Sequence, residues 1–161
     1  MSATFVVDAT VVVEFLAPGR NAAGAERFIG ALGWAEPLEL FAPDLMTLEV
    51  ANAVRKLSLA RLIERDIADG LVARLSELAI ASVGSAVLLA GAWALRHNMT
   101  VFDASYAALA RDLSCPLVTT DAKLARACRS ADIRAYSVDD RELDAILTAL
   151  EPIDREPPGP S

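Results

Sequence analysis

Four carboxylates carry the chemistry that this sequence offers: Asp8, Glu49, Asp103 and Asp121. Asp8 directly follows the β-forming run Phe5-Val6-Val7, and Asp121 follows the similar run Leu117-Val118-Thr119. Asp103 opens a helical stretch after Val101-Phe102, and Glu49 lies about one turn into another. Taken singly, Asp103 and Asp121 read as helix N-caps and Glu49 as a solvated helix residue. Asp8, placed straight after three apolar residues, reads as desolvated. Taken together, four acids at strand-to-helix junctions repel one another and need a counter-cation, or some of them must take up protons. Hard divalent cations take oxygen ligands, and Mg²⁺ commonly uses few carboxylates and keeps several waters. Such a site suits phosphodiester hydrolysis, in which metal ions activate a water and stabilise the leaving oxygen.

The elements that must position these acids alternate along the chain. Phe5–Val7, Leu38–Ala42, Ile80–Val83, Leu117–Thr119 and Ile133–Val138 read as short strands. Between and after them, helical patterns run from Val11 to Leu16, stopped by Pro18-Gly19, and from Ala22 to Leu32. Others run on from Asp44, from Asp66 to Leu78, from an N-cap at Ser85 to about Arg96, and from Asp103 to Leu113. The last two span Asp121 to Cys128 and Asp139 to Leu150. The alternation predicts an α/β three-layer sandwich, a central parallel sheet flanked by helices. Sites in such folds form beyond the carboxyl ends of the strands, where all four acids can meet. No repeat or linker divides the chain. Residues 1–150 are expected to form one domain, and the Pro-rich residues 151–161 a disordered tail.

A chain of 161 residues, 54% of them hydrophobic, can bury a substantial core. Its longest apolar stretch, Ala79 to Leu95, is broken by Ser82, Gly84, Ser85 and Gly91. It falls short of the roughly 20 apolar residues that a membrane span needs. No basic flank precedes the first apolar run, so no signal peptide is expected. Cys115 and Cys128 have neither metal spacing nor a disulfide pattern, which predicts reduced thiols in a cytoplasm. The net charge of −7 argues against a general nucleic-acid binder. Metal-binding carboxylates inflate that acidic count, however, and a bound cation reverses their local charge. Any nucleic-acid surface must therefore be a local basic patch.

The residues around the acids carry a resemblance. Val7-Asp8-Ala9-Thr10, Glu49-Val50-Ala51-Asn52, Phe102-Asp103-Ala104-Ser105-Tyr106-Ala107-Ala108-Leu109-Ala110 and Leu117-Val118-Thr119-Thr120-Asp121-Ala122-Lys123-Leu124 together resemble the PIN domain. More closely, they resemble the VapC-type ribonuclease toxins of toxin–antitoxin pairs. The likeness spans about Phe5 to about Tyr136 and rests on four motifs in order. It implies a parallel sheet with helices on both faces, and cleavage of single-stranded RNA with Mg²⁺ or Mn²⁺ to leave a 5′-phosphate and a 3′-hydroxyl. It also implies a homodimer and an antitoxin partner that blocks the active site. Carried over by position, Asp8, Glu49, Asp103 and Asp121 match the acidic quartet. Asp8 and Asp103 are then the foremost metal ligands, with Glu49 and Asp121 completing the set directly or through water. Thr119 matches a hydroxyl residue that could hold a carboxylate or a water. Thr10 stands where Ser is more common, and Phe102 where Tyr is.

Around this set, Asn52 lies on the helix face of Glu49 and could orient it or touch substrate. Arg55, Lys56, Arg61, Arg65, Lys123, Arg126 and Arg129 could contact phosphates, which position a nucleic acid without reading it. For each of them an ordinary solvated face is the plainer reading. Trp34 and Trp93 could stack on bases, although tryptophans in apolar helices are more often core or dimer contacts. The single histidine, His97, sits in an expected turn and is not needed as a base. A haloacid-dehalogenase-type phosphatase would want an Asp at position 10, where Thr stands. A receiver domain would want an acidic pair and a late Lys that are not evident. A PIN-like scaffold without activity is the remaining alternative, and the presence of all four acids counts against it.

Overall fold

The computed structural model describes residues 3–35 and 38–151. The expected tail from residue 152 onward lies outside them. Five strands form one parallel sheet in the order β3-β2-β1-β4-β5: β1 Ala3–Val7, β2 Leu38–Pro43, β3 Ile80–Val83, β4 Leu117–Thr119 and β5 Ala135–Ser137. β1 is central, and its Phe5, Val6 and Val7 are all buried. That is why it reads as a continuous apolar run, as strands covered on both faces do. β3 lies at an edge and is only partly covered.

Among the described residues, eight helices surround the sheet: α1 Ala9–Leu16, α2 Ala22–Gly30, α3 Leu45–Leu59, α4 Arg65–Leu75, α5 Ser85–Ala94, α6 Val101–Asp112, α7 Ala122–Ser130 and α8 Arg141–Ala149. A short 3₁₀ turn, Ala31–Gly33, follows α2. Crossovers between parallel strands are right-handed. From β1 the chain moves toward β3, so α1–α4 cover one face. From β3 it moves back toward β5, so α5–α7 cover the other. α1 accordingly packs against α2, α3 and α4, while α5 packs against α6.

The two faces are filled differently. Phe5 meets Phe28 of α2 edge-on, with ring centroids 5.5 Å apart. On the opposite face, α6 buries every residue from Ala104 to Ala110, as a helix covered all round does. Its alanines let α5 approach closely at Gly91. A Cβ there would lie 3.0 Å from both Ala108 Cβ and Arg111 Nη2.

Several boundaries differ from the sequence reading, three of them through visible contacts. Ser85 was expected to cap α5, but Gly84 is the N-cap. The Ser85 N–H and hydroxyl instead donate to the Asp44 carboxylate at the end of β2. α6 starts at Val101 rather than Asp103, because Thr100 is its cap and accepts the Asp103 N–H. β5 is shorter than Ile133–Val138. Asp132 takes the left-handed conformation (φ 58°), and the Ile133 N–H closes α7 on Cys128 O, so pairing begins only at Ala135.

Candidate active site

The strand order reverses between β1 and β4, and ligands in open α/β sheets bind at such a point, beyond the strands' carboxyl ends. Asp8 is the residue after β1 and is also the N-cap position of α1. Only 4% of it is exposed. The Thr10 hydroxyl donates to its Oδ2 at 2.5 Å and the Thr119 hydroxyl at 2.7 Å. Each hydroxyl is fixed in turn by the β4–α7 turn. The Thr120 N–H donates to Thr10 Oγ1 at 3.2 Å, and the Asp121 N–H to Thr119 Oγ1 at 3.0 Å. The turn after β4 thus grips the carboxylate after β1 through the Thr119 and Thr10 hydroxyls. Burial pushes the Asp8 carboxyl above its ordinary range, the two hydroxyls oppose that, and the negative Asp103 adds to it.

Glu49 occupies the fifth position of α3 and is half-buried. Its Oε2 accepts a 2.5 Å hydrogen bond from the Tyr106 hydroxyl, which α6 holds in the core with 1% exposure. Burial raises the Glu49 carboxyl, Tyr106 opposes this, and the charges of Asp8 and Asp103 raise it further. Burial and then the bond to Glu49 hold the Tyr106 phenol in its neutral, donating form. Asp103, in the first turn of α6, accepts the Thr100 hydroxyl on Oδ2 at 2.8 Å. The reach of this negative field shows at Cys128, whose thiol is pushed up to about 11, first by burial and then by Asp8 and Asp103.

Asp8, Glu49 and Asp103 therefore form one electrostatic group. Asp121 is joined to it through its backbone, by the bond to Thr119. Its own Oδ1 caps α7, accepting from Lys123 N at 2.7 Å and Leu124 N at 3.3 Å. Asp121 and Asp103 line one groove of about 460 Å³. Among the described residues no cation pairs with any of the four acids; the ion pairs there join Arg27 to Asp144 and Glu151, and Arg111 to Asp112. Nor do three His, Cys, Asp or Glu side chains among them converge tightly enough to ligate an ion unaided. An all-oxygen, acid-rich, partly open set of this kind fits a hard divalent ion that completes its shell with water.

Tyr106 is the residue that sequence reasoning passed over. It lies inside the motif that carried the resemblance, and its i+3 spacing from Asp103 was the available signal. Asn52, which on sequence could orient Glu49, touch substrate or be an ordinary polar helix residue, is exposed, and it is Tyr106 that holds Glu49. Phe102 is also exposed, at 65%, as is His97. Trp34 packs against the core, and Trp93 stands outside with the Arg96 guanidinium 4.8 Å over its ring.

The fold and this group of acids define an α/β nuclease-like class, and comparison with known proteins makes it specific. The family described as the PIN domain matches residues 5–130. Ribonuclease VapC3 of Pyrobaculum aerophilum is 34% identical over 124 residues, which cover 74% of this chain and 91% of the relative. Ribonuclease VapC1 of Mycobacterium tuberculosis is 37% identical over 123 residues, 76% of this chain and 89% of the relative. Among solved structures, PAE2754 from Pyrobaculum aerophilum superposes with a TM-score of 0.62 at 23% identity, covering 92% of this chain and 98% of that one. Mycobacterium tuberculosis VapC20, a sarcin–ricin-loop-cleaving toxin, superposes at 0.58 with 18% identity, covering 76% and 94%. The chain belongs to the PIN-domain family, in the branch of the VapC ribonucleases.

Proposed function

We propose that this chain is a divalent-metal-dependent endoribonuclease that hydrolyses phosphodiester bonds in single-stranded RNA, and that it is the toxin of a toxin–antitoxin pair. The observation that carries this reading is the set of carboxylates at the sheet's switch point, paired with no cation among the described residues. Its setting supports it: relatives more than 30% identical are named ribonucleases, and PIN-domain ribonucleases generally depend on a divalent metal. We assign the ion as Mg²⁺ or Mn²⁺, with Asp8 and Asp103 as principal ligands and Glu49 and Asp121 completing the set directly or through water. When bound, such an ion polarises a water and offsets charge on the nonbridging phosphate oxygens.

The chain's own residues supply the rest. The hydroxyls of Thr10 and Thr119 fix Asp8 in one orientation, so the site does not have to reorganise as charge develops. Glu49, clamped by Tyr106, takes the proton of the attacking water as the new O–P bond forms. The bond from phosphorus to the 3′ oxygen breaks, that oxygen takes a proton from solvent water, and Glu49 returns its own proton to solvent. The products are a 5′-phosphate and a 3′-hydroxyl.

An antitoxin that covers the acids is the natural regulator of such an enzyme. VapBC2 from Rickettsia felis, solved bound to a DNA fragment from its promoter, and FitAcB from Neisseria gonorrhoeae share the fold. For the homodimer we assign the outer face of α5, where Val87 (78% exposed), Leu89 and Trp93 stand in solvent. Among the described residues no helix is long and apolar enough to cross a membrane, and both thiols are free and buried; we place the enzyme in the cytoplasm with its RNA.

The test is cleavage of a mixed cellular RNA pool by purified, antitoxin-free protein with Mg²⁺, Mn²⁺ or EDTA. Metal-dependent cleavage is expected. Folded protein that cleaves nothing with either ion would overturn the reading in favour of an inactive PIN-like scaffold.

A further inference from the structure

Seven basic residues were open as phosphate contacts on sequence alone, and the structure separates them. Arg61 and Arg65 line a different cavity, of about 590 Å³, at the α3–α4 turn. Arg129 turns its guanidinium to Ala135 O at 2.9 Å and lines a pocket with Tyr136 and Glu142. Lys123 and Arg126 alone among the seven line the groove that also holds Asp103 and Asp121. They stand three residues apart on α7, so they share a face. Both are exposed, and among the described residues neither has a carboxylate within ion-pair distance. Two unpaired cations therefore sit beside carboxylates with which they do not pair. Asn98 and Ser130 complete the wall.

We infer that Lys123 and Arg126 form the subsite that seats the RNA backbone next to the scissile phosphate, so that the strand leaves the metal-binding acids along α7 through this groove. The inference rests on the ribonuclease reading and adds the direction of the strand and the residues that bind it. A −7 chain needs such a confined patch to hold a polyanion at all. Charge–phosphate contacts carry no sequence information, so the subsite contributes affinity and position equally for every RNA.

The experiment compares wild type, Lys123→Ala, Arg126→Ala, the double variant, and an Arg111→Ala/Arg134→Ala control of equal charge. The control pair sits toward the opposite, amino end of the strands, where Arg134 bonds Ser114 O. Two readouts are taken with Mg²⁺: steady-state cleavage of two single-stranded RNAs of unrelated sequence, and anisotropy of a labelled RNA. The double variant is expected to raise KM about tenfold or more on both RNAs, with kcat within about threefold of wild type. The slope of log affinity against log salt is expected to fall by about 1.4, at roughly 0.7 per phosphate contact for single strands. The control is expected to keep wild-type KM. Unchanged KM and salt slope in the double variant, beside an active wild type, would overturn the subsite and leave the nuclease standing. A loss confined to one of the two RNAs would overturn it as well. A wild type that neither cleaves nor binds RNA would overturn both.

Discussion

Two groups of acids in this molecule meet opposite fates. On the flank between α2 and α8, Arg27 takes Asp144, Glu151 and the Thr148 hydroxyl with a single guanidinium. The side chains there stay 37–61% exposed, and the acids are neutralised inside the protein. At the switch point Asp8 is 4% exposed and receives hydroxyls in place of a cation. Residue type does not distinguish the two groups; neutralisation does. Acids already paired within the fold serve structure, and acids gathered without a counter-charge stand ready for a ligand that brings one.

The sharpest way to break this contrast is Asp8→Asn. The amide keeps an acceptor for the Thr10 and Thr119 hydroxyls and removes only the charge. RNA cleavage is expected to fall by about 10²–10³-fold or more, the size seen when one electrostatic contributor to a transition state is removed. Cleavage close to wild type would place the metal-binding group elsewhere. A smaller effect is expected at Tyr106→Phe, which deletes the hydroxyl that holds Glu49 while keeping the ring that fills the core. A loss of about tenfold in kcat is expected with KM for RNA unchanged. A melting temperature lowered without any change in kcat would reduce Tyr106 to a core residue.

The contrast also has a pH signature. Burial raises the folded-state value of Asp8 above its ordinary 3.8, so the metal-free folded state holds that proton more tightly than the unfolded chain does. Stability linked to Asp8 is then fully present below about pH 3.8 and is lost as pH rises through the raised value. Thermal melts in EDTA should show Asp8→Asn gaining on wild type as pH rises above about 3.8. Saturating Mg²⁺ should shrink that gain, since a ligand of the folded state stabilises it. A wild-type-to-variant difference that is flat with pH would mean Asp8 carries no desolvation penalty.

The sequence exposed one half of this site better than the other. Asp8 and Asp121 follow short apolar runs that read as buried strands, and Thr119 ends the second, so strand pattern placed them at one sheet edge. The Thr119 hydroxyl entered only through the family resemblance, as a group able to hold a carboxylate or a water, and its sharing of Asp8 with Thr10 is a feature of the folded chain. The boundaries that shifted did so through partners distant in sequence. Ser85 gave up its capping role because Asp44, 41 residues earlier, claims its hydroxyl and N–H. Tyr106 shows the same limit: its spacing from Asp103 gave its face, but its meaning is a bond to Glu49, 57 residues away on another helix. Local spacing reports which face a residue occupies and not which residue on another element comes to meet it. The seven basic candidates show the same limit, because helix position could not say that α7 opens on the acids' groove and the α3–α4 turn on another cavity.

The smallest expected effect tests the structural half of the contrast. Arg27→Ala removes both ion pairs and the Thr148 bond that tie α2 to α8. Those side chains are well exposed, so solvent screens the pairs, and such bridges contribute about 0–1 kcal/mol each. At about 0.5 kcal/mol for each of the two pairs, a domain of this length loses about 2–4 °C of melting temperature. The shift should shrink in high salt, because screening already weakens the pairs in the wild type. RNA cleavage should stay at the wild-type level, since the acids freed by the substitution lie on the α2–α8 flank and not at the switch point. If freeing Asp144 and Glu151 altered metal dependence or cleavage, the two groups of acids would share a function, and neutralisation within the fold would no longer separate structure from catalysis.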